Sequence, residues 1–217
     1  GQGPPHSGER QESRRGGTTG AGHSPAAATG VYAALDLGTN NCRLLIACPT
    51  GDSFRVVDSF SRIIRLGEGI SATGCISDAA IDRAIAALSI CRDKIQSKKA
   101  KRLRLIATEA CRAASNADGF MDRVAAETGI RLEVINRETE AALAVTGCSP
   151  LLDPYGRGAI LFDIGGGSTE LVRIERDPER QDAAPRIRAW MSIPSSKAFR
   201  SAGMSAMWER MRSSIWE

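Results

Sequence analysis

Two short stretches of the chain carry the residues best suited to chemistry, and each places an aspartate just before a turn of small residues. They are Asp36-Leu37-Gly38-Thr39-Asn40 and Asp163-Ile164-Gly165-Gly166-Gly167-Ser168. Glycine leaves the backbone N–H groups open to close approach by an anion, and hydroxyl groups add donors. An aspartate at a strand end can hold a hard cation or orient a water. Each stretch predicts a phosphate-binding turn, with a plain Gly-rich hairpin as the alternative.

The two stretches are copies of one pattern. Residues 34–47, ALDLGTNNCRLLIA, align without a gap on residues 161–174, LFDIGGGSTELVRI, so that Asp36 falls on Asp163 and Gly38 on Gly165. A repeat of this period is far too long for a solenoid. We expect two homologous halves that face each other across a cleft, with their turns holding one polyanion from both sides.

Four further charged residues lie where they can take part in chemistry. Arg112 follows a predicted strand end, where a planar guanidinium can bind phosphate bidentately; an exposed arginine at a helix start is the alternative. Glu138 and Glu140 begin a predicted helix, where a carboxylate can deprotonate a water or simply complement the helix dipole. Glu170 can help Asp163 hold a metal or remain a solvated strand residue.

A frame of strands and helices must position these residues. The predicted strands are residues 31–37, 42–48, one within 54–66, 103–107, 131–135 and the hairpin that begins at Ala159. The predicted helices are one after the N-cap Ser77, with Ile81, Ile85, Leu88, Cys91 and Ile95 as its apolar stripe, one over 118–128 ended by Gly129, and one over 138–145 ended by Gly147. This order predicts an α/β fold, a ribonuclease-H-like half domain followed by the start of a second, as in the actin, Hsp70 and sugar-kinase architecture.

The composition excludes several other classes. The net charge of +4 is too weak to indicate nucleic-acid binding, and no apolar run is long enough to span a membrane. The six cysteines form no CxxC pair, and both histidines lie in the first 30 residues, which excludes zinc sites and Cys/His or Ser/His catalysis. Most of the cysteines lie in apolar or helical contexts, which indicates buried small hydrophobes in a reducing cytoplasm. Residues 1–30 are predicted to be a disordered tail.

Five motifs in order make the chain resemble the exopolyphosphatase/guanosine pentaphosphate phosphatase (Ppx/GppA) family. They are DLGTNNCRLLIA, RLGEG, TEACRAASN, VINRETEAALA and FDIGGGSTELV, and the resemblance covers residues 31–191. It implies hydrolysis of terminal phosphoanhydride bonds of polyphosphate, or of guanosine pentaphosphate, with Mg²⁺. It also implies a homodimer.

The resemblance assigns roles by position. Glu140 corresponds to the catalytic base, and Arg112 to an arginine of the catalytic site. Asp163, Glu170 and, through the repeat, Asp36 correspond to metal-associated carboxylates. The phosphate-binding residues implied are Gly38, Thr39, Asn40, Gly165, Gly166, Gly167 and Ser168. Thr139 stands where the family has the first of two adjacent glutamates, so Glu138 stays open as an alternative base.

The resemblance ends at Ser195. We expect a half domain over 31–150, the start of a second over 151–194 and a divergent segment over 195–217, as in a truncated or frame-shifted family member. An inactive remnant of the family is therefore the non-enzymatic alternative. An ATP-dependent kinase or chaperone-like ATPase is a third possibility, and it would require an adenosine-binding glycine motif that this sequence lacks.

Overall fold

The computed structural model describes residues 1, 30–51, 53–153, 155–176 and 185–194. The predictions for the N-terminal tail, apart from Gly1 and Gly30, and for the segment 195–217 lie outside these residues. The strands are β1 (Tyr32–Leu37), β2 (Asn41–Thr50), β3 (Ser53–Ile63), β4 (Arg102–Ala107), β5 (Glu133–Val134), β6 (Gly158–Ile164), β7 (Ser168–Glu175) and β8 (Arg186–Pro194). The helices are α1 (Ile70–Thr73), α2 (Asp78–Ser97), α3 (Glu109–Ala113), α4 (Ala117–Thr128) and α5 (Arg137–Cys148), followed by a 3₁₀ turn (Ser149–Leu151).

The first sheet has the strand order β3-β2-β1-β4-β5. Strands β1, β2 and β3 are antiparallel neighbours, whereas β4 runs parallel to β1 and β5 parallel to β4. Since the carboxyl ends of parallel strands meet at one edge of a sheet, the segments after β1, β4 and β5 begin close together. This edge positions the candidate site.

Helix α2 forms where the apolar stripe predicts it. The Ser77 hydroxyl accepts a hydrogen bond of 3.3 Å from the Ala80 N–H, which caps the helix as expected. Every residue of the predicted stripe is buried in the main core, which also takes in the inward faces of β1 and β2. Full burial of one such aliphatic side chain stabilises the fold by about 1.5–3 kcal/mol.

The second sheet repeats the first three strands in the order β6-β7-β8. Asp36 pairs with Arg43 across β1 and β2, and Asp163 pairs with Glu170 across β6 and β7, as the sequence repeat requires. The pairing register shifts after Ile46 in β2 and after Arg173 in β7, which are equivalent positions of the repeat. The internal duplication therefore extends over three strands and includes one irregularity.

Helix α5 connects the two sheets. Its buried residues Ala141 and Val145 pack against Val172 and Ile174 of β7, so its apolar face belongs to the second core rather than the first. The predicted domain boundary after residue 150 falls in the 3₁₀ turn that follows this helix. That division stays a prediction.

Several predicted elements need correction. Strand β5 contains two residues instead of the predicted 131–135, and α5 continues through Gly147 to Cys148 because a glycine is tolerated inside a helix at a cost of about 1 kcal/mol. The short helices α1 and α3 were not predicted, since four or five residues show no clear periodicity. Cys42, Cys91 and Cys111 are buried as expected, whereas the other three cysteines are half-exposed. No helix within the described ranges is long and apolar enough to cross a membrane.

Candidate active site

The two turns of the repeat close in the same way. In the first turn (Gly38–Asn40) the Gly38 N–H donates to the Asn41 carbonyl at 2.9 Å, and in the second turn (Gly165–Gly167) the Gly165 N–H donates to the Ser168 carbonyl at 2.9 Å. These four residues are equivalent pairs of the alignment. The sequence repeat is therefore also a repeat of turn geometry.

The segment that follows β3 is hydrogen-bonded to the first turn through the backbone. The Asn40 carbonyl accepts hydrogen bonds from the N–H groups of Ile64 at 2.8 Å and Arg65 at 3.0 Å, and the Thr39 carbonyl accepts one from Gly67 at 3.0 Å. The three donor residues span the start of the RLGEG motif, which covers residues 65–69. That motif thus positions the turn by backbone hydrogen bonds.

The second turn lies directly against the first. A Cβ atom added to Gly167 would come within 2.6 Å of the Thr39 Oγ1 atom, and one added to Gly166 within 3.0 Å of the Asn40 Cγ atom. The glycines of the GGG run therefore permit the close approach of the turns. The predicted phosphate-binding residues of both turns come together, except that the Ser168 side chain is buried at the start of β7.

Asp36 and Asp163, at the strand ends before the turns, interact electrostatically. Burial raises the pKa of Asp36, the positive charge of Arg43 opposes this shift, and the negative charge of Asp163 adds to it. A divalent cation between two such carboxylates would offset their repulsion.

Glu140 enters the site from the first turn of α5. The helix begins here because the Asn136 side chain accepts a hydrogen bond of 2.8 Å from the Thr139 N–H. Glu138, two residues before Glu140, is exposed, whereas the Glu140 side chain is 20% exposed. Burial raises the pKa of Glu140, and a hydrogen bond from Arg112 counteracts this.

Arg112 lies in the last turn of α3, not at a helix start, and it is half-buried. Its Nη2 group donates to Glu140 Oε2 at 2.7 Å and to Glu109 Oε2 at 2.9 Å. Its Nε group donates to the same Glu109 oxygen at 3.1 Å, and its Nη1 group donates to the Ile135 carbonyl at 2.6 Å. The reading of Arg112 as an exposed arginine is therefore wrong.

Glu170 lies under the second turn. It is 2% exposed, so the reading of a solvated strand residue is wrong. Its Oε1 atom accepts a hydrogen bond of 2.9 Å from the Ser192 hydroxyl of β8. Its negative charge and that of Asp36 both raise the pKa of Glu140 further.

The site contains five carboxylates and three guanidinium groups, an excess of negative charge that suits a cation. Its members are Asp36, Glu109, Glu140, Asp163 and Glu170 with Arg43, Arg112 and Arg137. Within the described part of the chain, no group of three or more His, Cys, Asp or Glu side chains converges to hold a metal. Mg²⁺ binds through one or two carboxylates together with substrate phosphates and waters, and the pair Asp36 and Asp163 fits that requirement.

Four residues of the site were not identified from the sequence, and one of them is Arg43, whose charge acts on Asp36. Glu109 and Arg137 pair through Oε1 and Nη2 at 2.7 Å, and Ser192 binds Glu170. The spacing of Glu109 and Arg112, three residues apart, suits a helical ion pair, but it becomes informative only once α3 is recognised.

Known proteins of one family resemble this chain in sequence and in structure. The profile of the Ppx/GppA phosphatase family matches residues 45–185, more than half of the chain. A curated relative from Vibrio vulnificus (strain YJ016), named guanosine-5'-triphosphate,3'-diphosphate pyrophosphatase, is 33% identical over 152 residues. That alignment covers 70% of this chain and 29% of the relative, so the chain spans under a third of the relative's length.

Solved structures match the fold as well. The Aquifex aeolicus PPX-GPPA enzyme is 32% identical with a TM-score of 0.64, over 76% of this chain and 52% of that one. An exopolyphosphatase from Cytophaga hutchinsonii is 26% identical with a TM-score of 0.67, over 79% of this chain and 53% of that one. The ribonuclease-H-like, actin-type fold expected from the element order is thereby confirmed. With its duplicated acidic turns and five motifs in family order, this chain belongs to the Ppx/GppA phosphatase family.

Proposed function

We propose that this chain is a phosphohydrolase that cleaves terminal phosphoanhydride bonds of inorganic polyphosphate, by attack of a water with the help of Mg²⁺. The observation that carries the proposal is the meeting of the two acidic turns beside the Arg112–Glu140 pair. Backbone N–H groups, a guanidinium and carboxylates at one place supply the positioning and charge neutralisation that phosphoryl transfer needs.

Glu140 is the proposed general base. Its Oε2 atom is engaged by Arg112, and among the described residues no hydrogen bond reaches its Oε1 atom, which is available to a water. A raised pKa makes this carboxylate a better proton acceptor than an ordinary glutamate. Glu138 is exposed on the same helix turn, which favours Glu140 as the base.

Arg112 is the proposed phosphate-binding arginine, together with the N–H groups of both turns. Four of its five N–H donors are already engaged by Glu109, Glu140 and Ile135. A phosphate that binds Arg112 bidentately must therefore displace a carboxylate from it. Displacement of Glu140 would release the base at the moment that substrate arrives.

Asp36 and Asp163 are the proposed magnesium ligands, and Glu170, held by Ser192, contributes negative charge behind them. A bound Mg²⁺ would supply neutralisation of the phosphate charge. A homodimer is also proposed on the family resemblance alone, and a cytoplasmic location on the cysteine usage.

Guanosine pentaphosphate is the second candidate substrate, because the curated relatives carry names for an enzyme that acts on this nucleotide. The names of two solved structures, an exopolyphosphatase and an exopolyphosphatase-like protein, favour polyphosphate instead. Both substrates present a terminal phosphoanhydride to the same groups.

The test is phosphate release by the purified chain with Mg²⁺, from long-chain polyphosphate and from guanosine pentaphosphate in parallel. We expect release from polyphosphate that falls by about 10²- to 10⁴-fold in Glu140→Gln. Release from the nucleotide alone would establish the second candidate. A folded chain that releases phosphate from neither would be the inactive family member.

A further inference from the structure

We propose that Glu109 is a positioning residue, whose carboxylate directs the guanidinium of Arg112 toward Glu140 and the second turn. No motif argument assigns Glu109 a role. Its catalytic consequence rests on the proposed function, whereas the contact itself does not.

Glu109 is the common acceptor of two arginines. It accepts hydrogen bonds from Arg112 through Nε and Nη2, at 3.1 and 2.9 Å, and from Arg137 through Nε and Nη2, at 3.2 and 2.7 Å. Its side chain is only 13% exposed, against 42% for that of Arg137. A carboxylate this enclosed, with four charge-assisted hydrogen bonds, has a single orientation.

That orientation determines which edge of Arg112 faces the site. Glu109 binds the edge formed by Nε and Nη2, while Nη1 is bound by the Ile135 carbonyl. The second N–H of Nη2 is left to meet Glu140, or a phosphate that replaces it. Without Glu109 the side chain could rotate, because Nε would lose its partner.

Glu109 also touches the second turn. A Cβ atom added to Gly167 would lie 3.1 Å from Glu109 Cγ. The same side chain therefore contacts the arginine and one of the two proposed phosphate-binding turns. A displacement of about 1 Å in such an arrangement can reduce the rate by about 100-fold.

The kinetic test is a double-mutant cycle on polyphosphate hydrolysis with Glu109→Gln, Arg112→Gln and the double variant. If Glu109 acts through Arg112, Glu109→Gln lowers kcat by about 10- to 100-fold with a smaller change in KM. The double variant is then no slower than Arg112→Gln alone. Wild-type kinetics in Glu109→Gln, or a double variant slowed by the product of the single effects, would overturn the proposal.

Matched controls separate positioning from folding. Glu127→Gln removes a carboxylate that also pairs with an arginine, Arg123 Nε at 2.6 Å, but on the exposed face of helix α4; we expect wild-type kinetics. Glu109→Asp keeps the charge and shortens the side chain by one methylene, and should recover part of the activity lost in Glu109→Gln. If Glu109→Gln does not fold, Glu109→Asp takes its place in the kinetic test. Activity of Glu109→Asp equal to or below that of a folded Glu109→Gln would contradict the proposal.

An NMR measurement tests the contact between Glu109 and Arg112 and does not require the chain to hydrolyse any substrate. In the folded chain we expect a slowly exchanging arginine Nε–H NMR signal that is absent in Arg112→Gln. Glu109→Gln should shift this signal and speed its exchange with water, whereas Glu127→Gln should leave it unchanged. An unchanged signal in Glu109→Gln would refute the positioning role even if the chain hydrolyses no substrate. If the signal changes in a chain that hydrolyses neither polyphosphate nor guanosine pentaphosphate, the result supports the contact between Glu109 and Arg112 and contradicts the proposed function.

Discussion

Arg112 donates a hydrogen bond of 2.7 Å from Nη2 to Oε2 of Glu140, a residue 28 positions further along the chain. The pair joins the segment after β4 to the segment after β5, at the edge where the parallel strands end. It couples the proposed phosphate-binding group to the proposed base, since the same Nη2 group cannot serve Glu140 and a bidentate phosphate fully at once.

Replacement of the base is the first prediction. Glu140→Gln keeps the size of the side chain but removes its basicity, so phosphate release should fall by about 10²- to 10⁴-fold. Glu138→Gln is the matched control, because Glu138 is exposed on the same helix turn. Phosphate release assays on both variants check this, and the opposite ranking would reassign the base to Glu138.

The pH dependence follows from the raised pKa of Glu140. A general base must be ionised, so kcat/KM should fall as the pH drops through the pKa of the free enzyme. Because burial raises this pKa above the ordinary 4.5, the acid limb should lie above pH 4.5. A kcat/KM profile that stays flat down to pH 4.5 would contradict the assignment.

The raised pKa of Asp36 predicts the direction in which Asp36→Asn changes the stability of the fold. Its pKa is raised in the folded state, so the associated stability is present below the ordinary pKa of 3.8 and is lost as the pH rises through the folded pKa. Asp36→Asn should therefore raise the midpoint of thermal unfolding at pH 7 in the absence of Mg²⁺. The gain should shrink as the pH is lowered toward 4.

Asp58→Asn is a control variant for which the opposite change in stability is expected. A hydrogen bond from Lys94 at 2.8 Å lowers the pKa of Asp58, so its contribution is present above the ordinary pKa and is lost as the pH falls through the folded pKa. Asp58→Asn should lower the unfolding midpoint at pH 7. If both asparagine variants moved the midpoint in the same direction at pH 7, the electrostatic account would be wrong.

The contact between the turns predicts a steric effect. Gly167→Ala would place a methyl group 2.6 Å from Thr39 Oγ1 and should lower the free energy of unfolding by about 1–3 kcal/mol. Gly147→Ala meets no atom within 4 Å inside α5 and should raise it by about 0.5–1 kcal/mol. Denaturant unfolding of the two variants checks both signs.

A compensating change sharpens that prediction. Thr39→Ala removes the Oγ1 atom that the new methyl group would meet, so it should recover part of the stability lost in Gly167→Ala. A double variant that shows the simple sum of the two single losses would mean that the turns do not touch.

The sequence alone determined the features that depend on local pattern. The two acidic turns, their repeat, the cap at Ser77 and the buried stripe of α2 could all be predicted, because turn chemistry and helical spacing act over a few residues. The order of motifs also indicated the family, which the family profile confirmed over residues 45–185.

The tertiary structure alone decided which of these residues meet. Arg112, Glu109 and Glu140 form one network because parallel pairing of β1, β4 and β5 brings the starts of α3 and α5 to the same sheet edge. Neither the burial of Glu170 nor the contact of Gly167 with Thr39 has a local signal, since each depends on strands far apart in the chain. Local spacing selects candidate groups, whereas the distances between them, and therefore the shifts in their pKa values, arise only when the sheets assemble.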